Sequence, residues 1–148
     1  MIRKKSLVTW MIALLAVLMV SCSSGVAKVT TYSPEQLGKI ADYTTNLVVY
    51  RDRMDRLNEL IQKQQWVNVD TYIHGPLGAL RGQTTYLTQN LLLPKDRDQV
   101  LSAGREIFEH LEKIDVAANE GNYNLAVANY QEAVKDLENF LDLIPKSS

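Results

Sequence analysis

Apolar residues recur at alternating steps of three and four in four separate runs of this chain, and that pattern restricts it to an all-helical fold. The first run is Ile40, Tyr43, Leu47, Tyr50, Met54, Leu57 and Ile61. It follows Ser33-Pro34-Glu35-Gln36, a capping-box string with proline at the first helical position, where its missing N–H costs nothing. A helix from Pro34 to about Gln62 is predicted, about 43 Å long at ~1.5 Å per residue. Arg51, Arg53, Asp55 and Arg56 fall off the stripe and are expected to face water or a partner. The second run is Trp66, Val69, Ile73, Leu77, Leu80, Leu87 and Leu91, with Thr84 at the missing step. Inside it stand Gly75, Pro76 and Gly78. Pro76 cannot donate to the Tyr72 carbonyl and its ring crowds that turn, so a kink is expected there. One bent helix is preferred to two short ones, because the stripe continues in phase. Asp96 is read as the cap of a third helix bearing Val100, Gly104, Ile107, Leu111, Ile114 and Ala118. Gly121-Asn122 ends that helix and opens a fourth, with Ala126, Tyr130, Ala133, Leu137, Phe140 and Ile144, before Pro145 stops it. Short connections make neighbours antiparallel, so the expectation is an up-down-up-down four-helix bundle over residues 33–146, its second helix kinked at Pro76.

The residues before the bundle read differently. Arg3, Lys4 and Lys5 precede a run of 14 residues without charge, Leu7 to Val20, which ends at Ser21-Cys22. A basic start, an apolar stretch and a small residue at the boundary make an export signal, and the stretch is shorter than the ~20 residues of a membrane-spanning helix. Met19-Val20-Ser21-Cys22 is similar to a bacterial lipobox, with Met19 where leucine is usual. Residues 1–21 are therefore expected to be removed, Cys22 to be lipidated, and residues 22–32 to form a polar tether. A cleaved leader beside a chance cysteine is the alternative. Cys22 is the single cysteine, so no internal disulfide can form and the core must supply stability unaided.

Charge narrows the function. Three of the 16 Lys and Arg lie in the leader, whereas all 17 Asp and Glu lie after it, and no basic patch suited to nucleic acid remains. From Lys28 to Arg105 there are 10 basic and 8 acidic residues, and from Glu106 to Asp142 there are 2 and 9. The two halves should present opposite potentials, which orient docking on a partner. Catalytic patterns are missing: there is no Ser–His–Asp order, no phosphate loop, no C-x-x-C-H for covalent haem and no paired Glu-x-x-His. His74 and His110 lie on different helices without a zinc-protease spacing. His74 is expected to bond a backbone group freed by the kink. Glu106, Glu109 and His110 are read as a solvated charged face, Met54 as core, and the tyrosines as core and interface packing. The Gly121-Asn122-Tyr123 stretch looks like part of a tetratricopeptide unit, but it has no second copy. No catalytic residue, cofactor or resident metal is assigned.

Several strings then carry a resemblance. They are Thr31-Tyr32-Ser33-Pro34-Glu35, Tyr72-Ile73-His74-Gly75-Pro76-Leu77-Gly78 and Leu92-Leu93-Pro94-Lys95-Asp96, followed by Phe108, His110-Leu111, Ile114-Asp115, Ala117-Ala118 and Tyr130 to Asp136. Over about residues 31–145 the chain resembles the PsbQ family in its cyanobacterial form. The resemblance implies a non-catalytic extrinsic subunit on the lumenal face of photosystem II, which stabilises the complex and supports its manganese–calcium cluster without ligating it. Implied neighbours are the manganese-stabilising protein PsbO and the lumenal domain of the core antenna protein PsbB. The implied location is the lumenal side of the thylakoid membrane, held by the lipid on Cys22. Arg51, Arg56 and Arg81 are expected to meet acidic lumenal loops, on a surface shaped by the bend at His74 and Pro76. An assembly factor, or a helical lipoprotein that carries a small ligand or metal, is the alternative.

Overall fold

The computed structural model describes residues 31–146. The leader, Cys22 and most of the tether lie outside the described residues.

Helix α1 spans Pro34–Gln62. Its start is the expected capping box: Ser33 Oγ accepts from the Gln36 N–H at 3.2 Å, and the Ser33 N–H donates to Gln36 Oε1 at 2.9 Å. Its end carries no glycine. Gln64 takes a positive φ of 49°, which lets the Gln65 N–H reach the Leu60 carbonyl at 3.0 Å and close the last turn. The chain reverses there.

The second rod is more interrupted than one bent helix. Helix α2 covers Trp66–His74, helix α3 covers Ala79–Tyr86, and a π-helical turn follows over Leu87–Leu91. Regular helix is lost across Gly75 to Gly78, where the Leu77 N–H reaches back five residues to the Tyr72 carbonyl at 3.1 Å. Proline explains that step: position 76 has no N–H to offer the carbonyl, so the next amide takes it. The stripe nevertheless stays in phase, for Val69, Ile73, Leu77, Leu80, Thr84 and Leu87 are all buried.

Helix α4 spans Pro94–Asn119 and α5 spans Tyr123–Leu143. Asp96 does not cap α4. Pro94, with its fixed φ, occupies the first helical position, which moves the cap to Leu93 and leaves Asp96 inside the first turn. Asn122 does cap α5, accepting from the Leu125 N–H at 3.2 Å, after Gly121 has turned the chain at φ 65°. Helix α1 packs on α2 and α5, and α4 on α2 and α5, which closes a ring of four antiparallel rods. The most extensive interface is α4 on α5. Buried Ala117, Ala118, Ala126 and Ala133 let those two axes approach closely. Tyr50 and Phe140 are the largest fully buried side chains. Among the described residues, no helix is long and apolar enough to cross a membrane.

Candidate functional site

The break in the second rod gathers the charged residues that the sequence singled out. Pro76 presents its carbonyl outward, and Arg53 of α1 donates to it at 2.5 Å. The same guanidinium lies 4.5 Å from the centre of the Tyr50 ring. Arg53 is thus a half-exposed strut from α1 to the break. His74 has a different role from the backbone bond expected of it. It is exposed, with Nε2 3.6 Å from Asp70 Oδ1 on its own helix and 3.4 Å from Asp115 Oδ2 on α4. An i, i+4 pair and a residue from the facing helix place one nitrogen and two carboxylates within 4.8 Å of one another. That donor set suits a divalent cation such as zinc.

His110 turns inward instead of joining Glu106 and Glu109 at the surface. Its Nδ1 lies 3.0 Å from Asn129 Oδ1, and the Asn129 amide donates to the Leu125 carbonyl at 2.9 Å. Asn129 therefore presents oxygen to the imidazole, so Nδ1 carries the proton. Nε2 then faces Asp136 Oδ2 at 3.6 Å, a buried oxygen with no hydrogen-bond partner among the described residues. Burial raises the Asp136 carboxyl above its ordinary value, opposed by His110 and reinforced by Glu106 and Glu132.

Each of the three arginines expected to meet a partner already holds a carboxylate. Arg51 forks onto Glu138 of α5, with Nε 2.6 Å from Oε1. Arg56 pairs with Glu59 on its own helix. Arg81 reaches Glu112 of α4 at 2.7 Å and lies 4.3 Å over the Phe108 ring. Arg51 and Arg81 stand on opposite edges of the bundle, one at the α1–α5 seam and one at the α3–α4 seam. The charge asymmetry along the chain is partly consumed in stitching those seams.

Tyr32 had been placed in the tether. Its hydroxyl accepts from the Leu93 N–H at 2.9 Å and donates to Asp96 Oδ2 at 2.7 Å. Burial and the bond to Asp96 push the phenol up to about 12. The only sequence sign of this contact was that Tyr32 and Leu93 to Asp96 belong to two of the strings that carried the resemblance. Tyr43 and Tyr86 stack with ring centres 5.2 Å apart on the outside of α1 and α3, so this aromatic pair is at the surface.

The PsbQ family model, described as oxygen evolving enhancer protein 3, matches residues 3–145. The chain belongs to the PsbQ family. It is also 43% identical to CyanoQ of Synechocystis sp., over the full length of both chains. The residues that the family model matches include the glycine–proline break and the Asp96 corner.

Proposed function

We propose that this PsbQ protein is a non-catalytic extrinsic subunit of photosystem II, tethered by lipid on Cys22 to the lumenal side of the thylakoid membrane. The family match over nearly the whole chain carries this reading. The bundle suits a binding role, because its surface polar residues form exposed struts and ion pairs that a partner can exchange. PsbO and the lumenal domain of PsbB are the proposed neighbours. Arg51, Arg56 and Arg81 steer the approach: their pairs are exposed, such pairs are worth ~0–1 kcal/mol, and a partner's carboxylate can replace the internal one. Once docked, the bundle restricts lumenal loops and slows the loss of calcium and chloride from the oxygen-evolving site.

Oxygen evolution in membranes with and without the protein, measured under calcium or chloride limitation, tests the role. The membranes lacking it should fail first, and equal rates would defeat the proposal. Reversing Arg51 and Arg56 to Glu should slow association and change its salt dependence, as rim charges do.

The Asp70, His74 and Asp115 triangle favours a second reading, in which the bundle takes up a divalent cation at the break. Zinc titration of the mature protein, compared with His74→Ala, separates the two. Binding lost in the variant supports a cation site, and no saturable binding removes it.

A further inference from the structure

Between α3 and α4 the surface opens into a hollow of about 240 Å³. Gly104 and Phe140 line it, with Thr85 and Gln89 from the second rod, and its charged lining residues are Arg81 and Arg105 alone. Across the Arg81 and Phe108 stack lies a second hollow of about 300 Å³, bordered by His74, Glu112 and Asp115. The two neighbours therefore differ in charge: one offers guanidinium groups and no carboxylate, and the other carries two acids.

Gly104 lies in the floor of the first hollow. A Cβ there would stand 3.5 Å from Phe140 and 3.9 Å from Thr84, both ordinary contacts. Packing therefore does not require glycine, although glycine weakens a helix interior relative to alanine. The hydroxyls of Thr84 and Thr88 are spent on their own helix, bonding the carbonyls of Arg81 and Thr84 at 3.1 and 2.8 Å. Thr85, Gln89 and the two guanidinium groups remain for a visitor. No described carboxylate lies within ion-pair reach of Arg105, and the Glu112 partner of Arg81 is itself exposed.

The geometry points to an acidic segment of a protein partner as the occupant, with a carboxylate held by Arg81 and Arg105 and one apolar side chain seated in the hollow beside half-buried Leu101. The proposal rests on the docking role above and names the surface that performs it. Size favours a protein over a free ligand: small-molecule sites usually measure ~300–1,000 Å³, and this hollow suits a single anchoring side chain. Charge sets the direction, because the acidic hollow beyond Arg81 repels the carboxylate end.

Rebinding of the mature chain to photosystem II membranes from cells that lack it gives the test, read as separate association and dissociation rates. Thr85→Trp, which obstructs the hollow without altering charge, and Arg105→Glu should each dissociate about tenfold faster than the parent. Gly104→Ala, which adds a methyl to the hollow, should melt higher than the parent yet dissociate a few-fold faster. That variant keeps the test sound if Thr85→Trp folds poorly. Dissociation at the parental rate in folded Thr85→Trp and Gly104→Ala overturns the hollow as the docking surface while leaving the docking role intact. A parent that does not rebind at all takes down both. Self-association of the parent that Thr85→Trp abolishes would assign the hollow to a second copy of this chain, and the proposal would fall.

Discussion

The hydroxyl of Tyr32 bridges the start of α4, accepting from the Leu93 N–H and donating to the Asp96 carboxylate. Removing it in Tyr32→Phe leaves the Leu93 N–H without its partner and deprives Asp96 of a donor, which should cost about 1–2 kcal/mol. The pH dependence follows from the raised phenol. The folded chain keeps this proton up to about 12, whereas an unfolded tyrosine releases it near 10. The stabilisation is thus complete below pH 10 and is lost as the pH climbs toward 12. Urea unfolding at pH 8 and pH 11 should show the gap between the parent and Tyr32→Phe narrowing at the higher pH, and a constant gap would refute the assignment. Asp136 supplies a second test. Its carboxyl is raised, so the fold gains stability as pH falls through that value toward the ordinary carboxylate range, and loses it as pH rises. Asp136→Asn removes the buried charge and gives His110 Nε2 a donor. It should stabilise the chain by about 1 kcal/mol at pH 7, and the two proteins should converge near pH 4.

The elements differ in how firmly the chain specifies them. In the second rod, Gly75 and Gly78 are required by their surroundings, because a Cβ at 78 would meet the His74 carbonyl oxygen at 2.4 Å and one at 75 would meet that of Thr71 at 2.9 Å. Gly82, one turn further on, has nothing within 4 Å of its missing side chain. Two alanine substitutions on the same rod should therefore have opposite signs. Gly78→Ala should destabilise by about 2 kcal/mol or more, since backbone atoms have to shift, and Gly82→Ala should stabilise by about 0.5–1 kcal/mol. Denaturation midpoints of the two variants decide the matter. The same contrast explains what could be read in advance. The stripes of α1, α4 and α5, the Ser33 and Asn122 caps and the Pro76 interruption follow from local residue types, and all were legible. The positive φ at Gln64 and the π-helical turn at Leu87–Leu91 arise from how the rods meet, and no local pattern encodes them.

At the scale of the whole molecule, the site was less legible than the fold. Side chains that come from different helices, such as Arg53 on the Pro76 carbonyl, His110 against Asn129 and Asp136, and Tyr32 at Leu93, are brought together only by packing. The number of arginines could be read from the chain, but not which edge each would occupy. The proposed lipid on Cys22 would contribute concentration. The docking surface proposed above is modest, and confinement to the membrane surface would raise the effective concentration of such a partner without adding a contact. On this argument Cys22→Ser, still exported through its signal, should fold with the parental melting temperature and yet occupy few photosystem II complexes at its normal level. Raising its amount about a hundredfold should restore occupancy, because avidity of this kind is worth ~10²–10⁴ and mass action can replace it. Quantitative co-purification across a range of expression levels measures this. Parental occupancy of Cys22→Ser at the lowest level would show that the bundle binds unaided, and failure at the highest would show that the lipid contributes more than proximity.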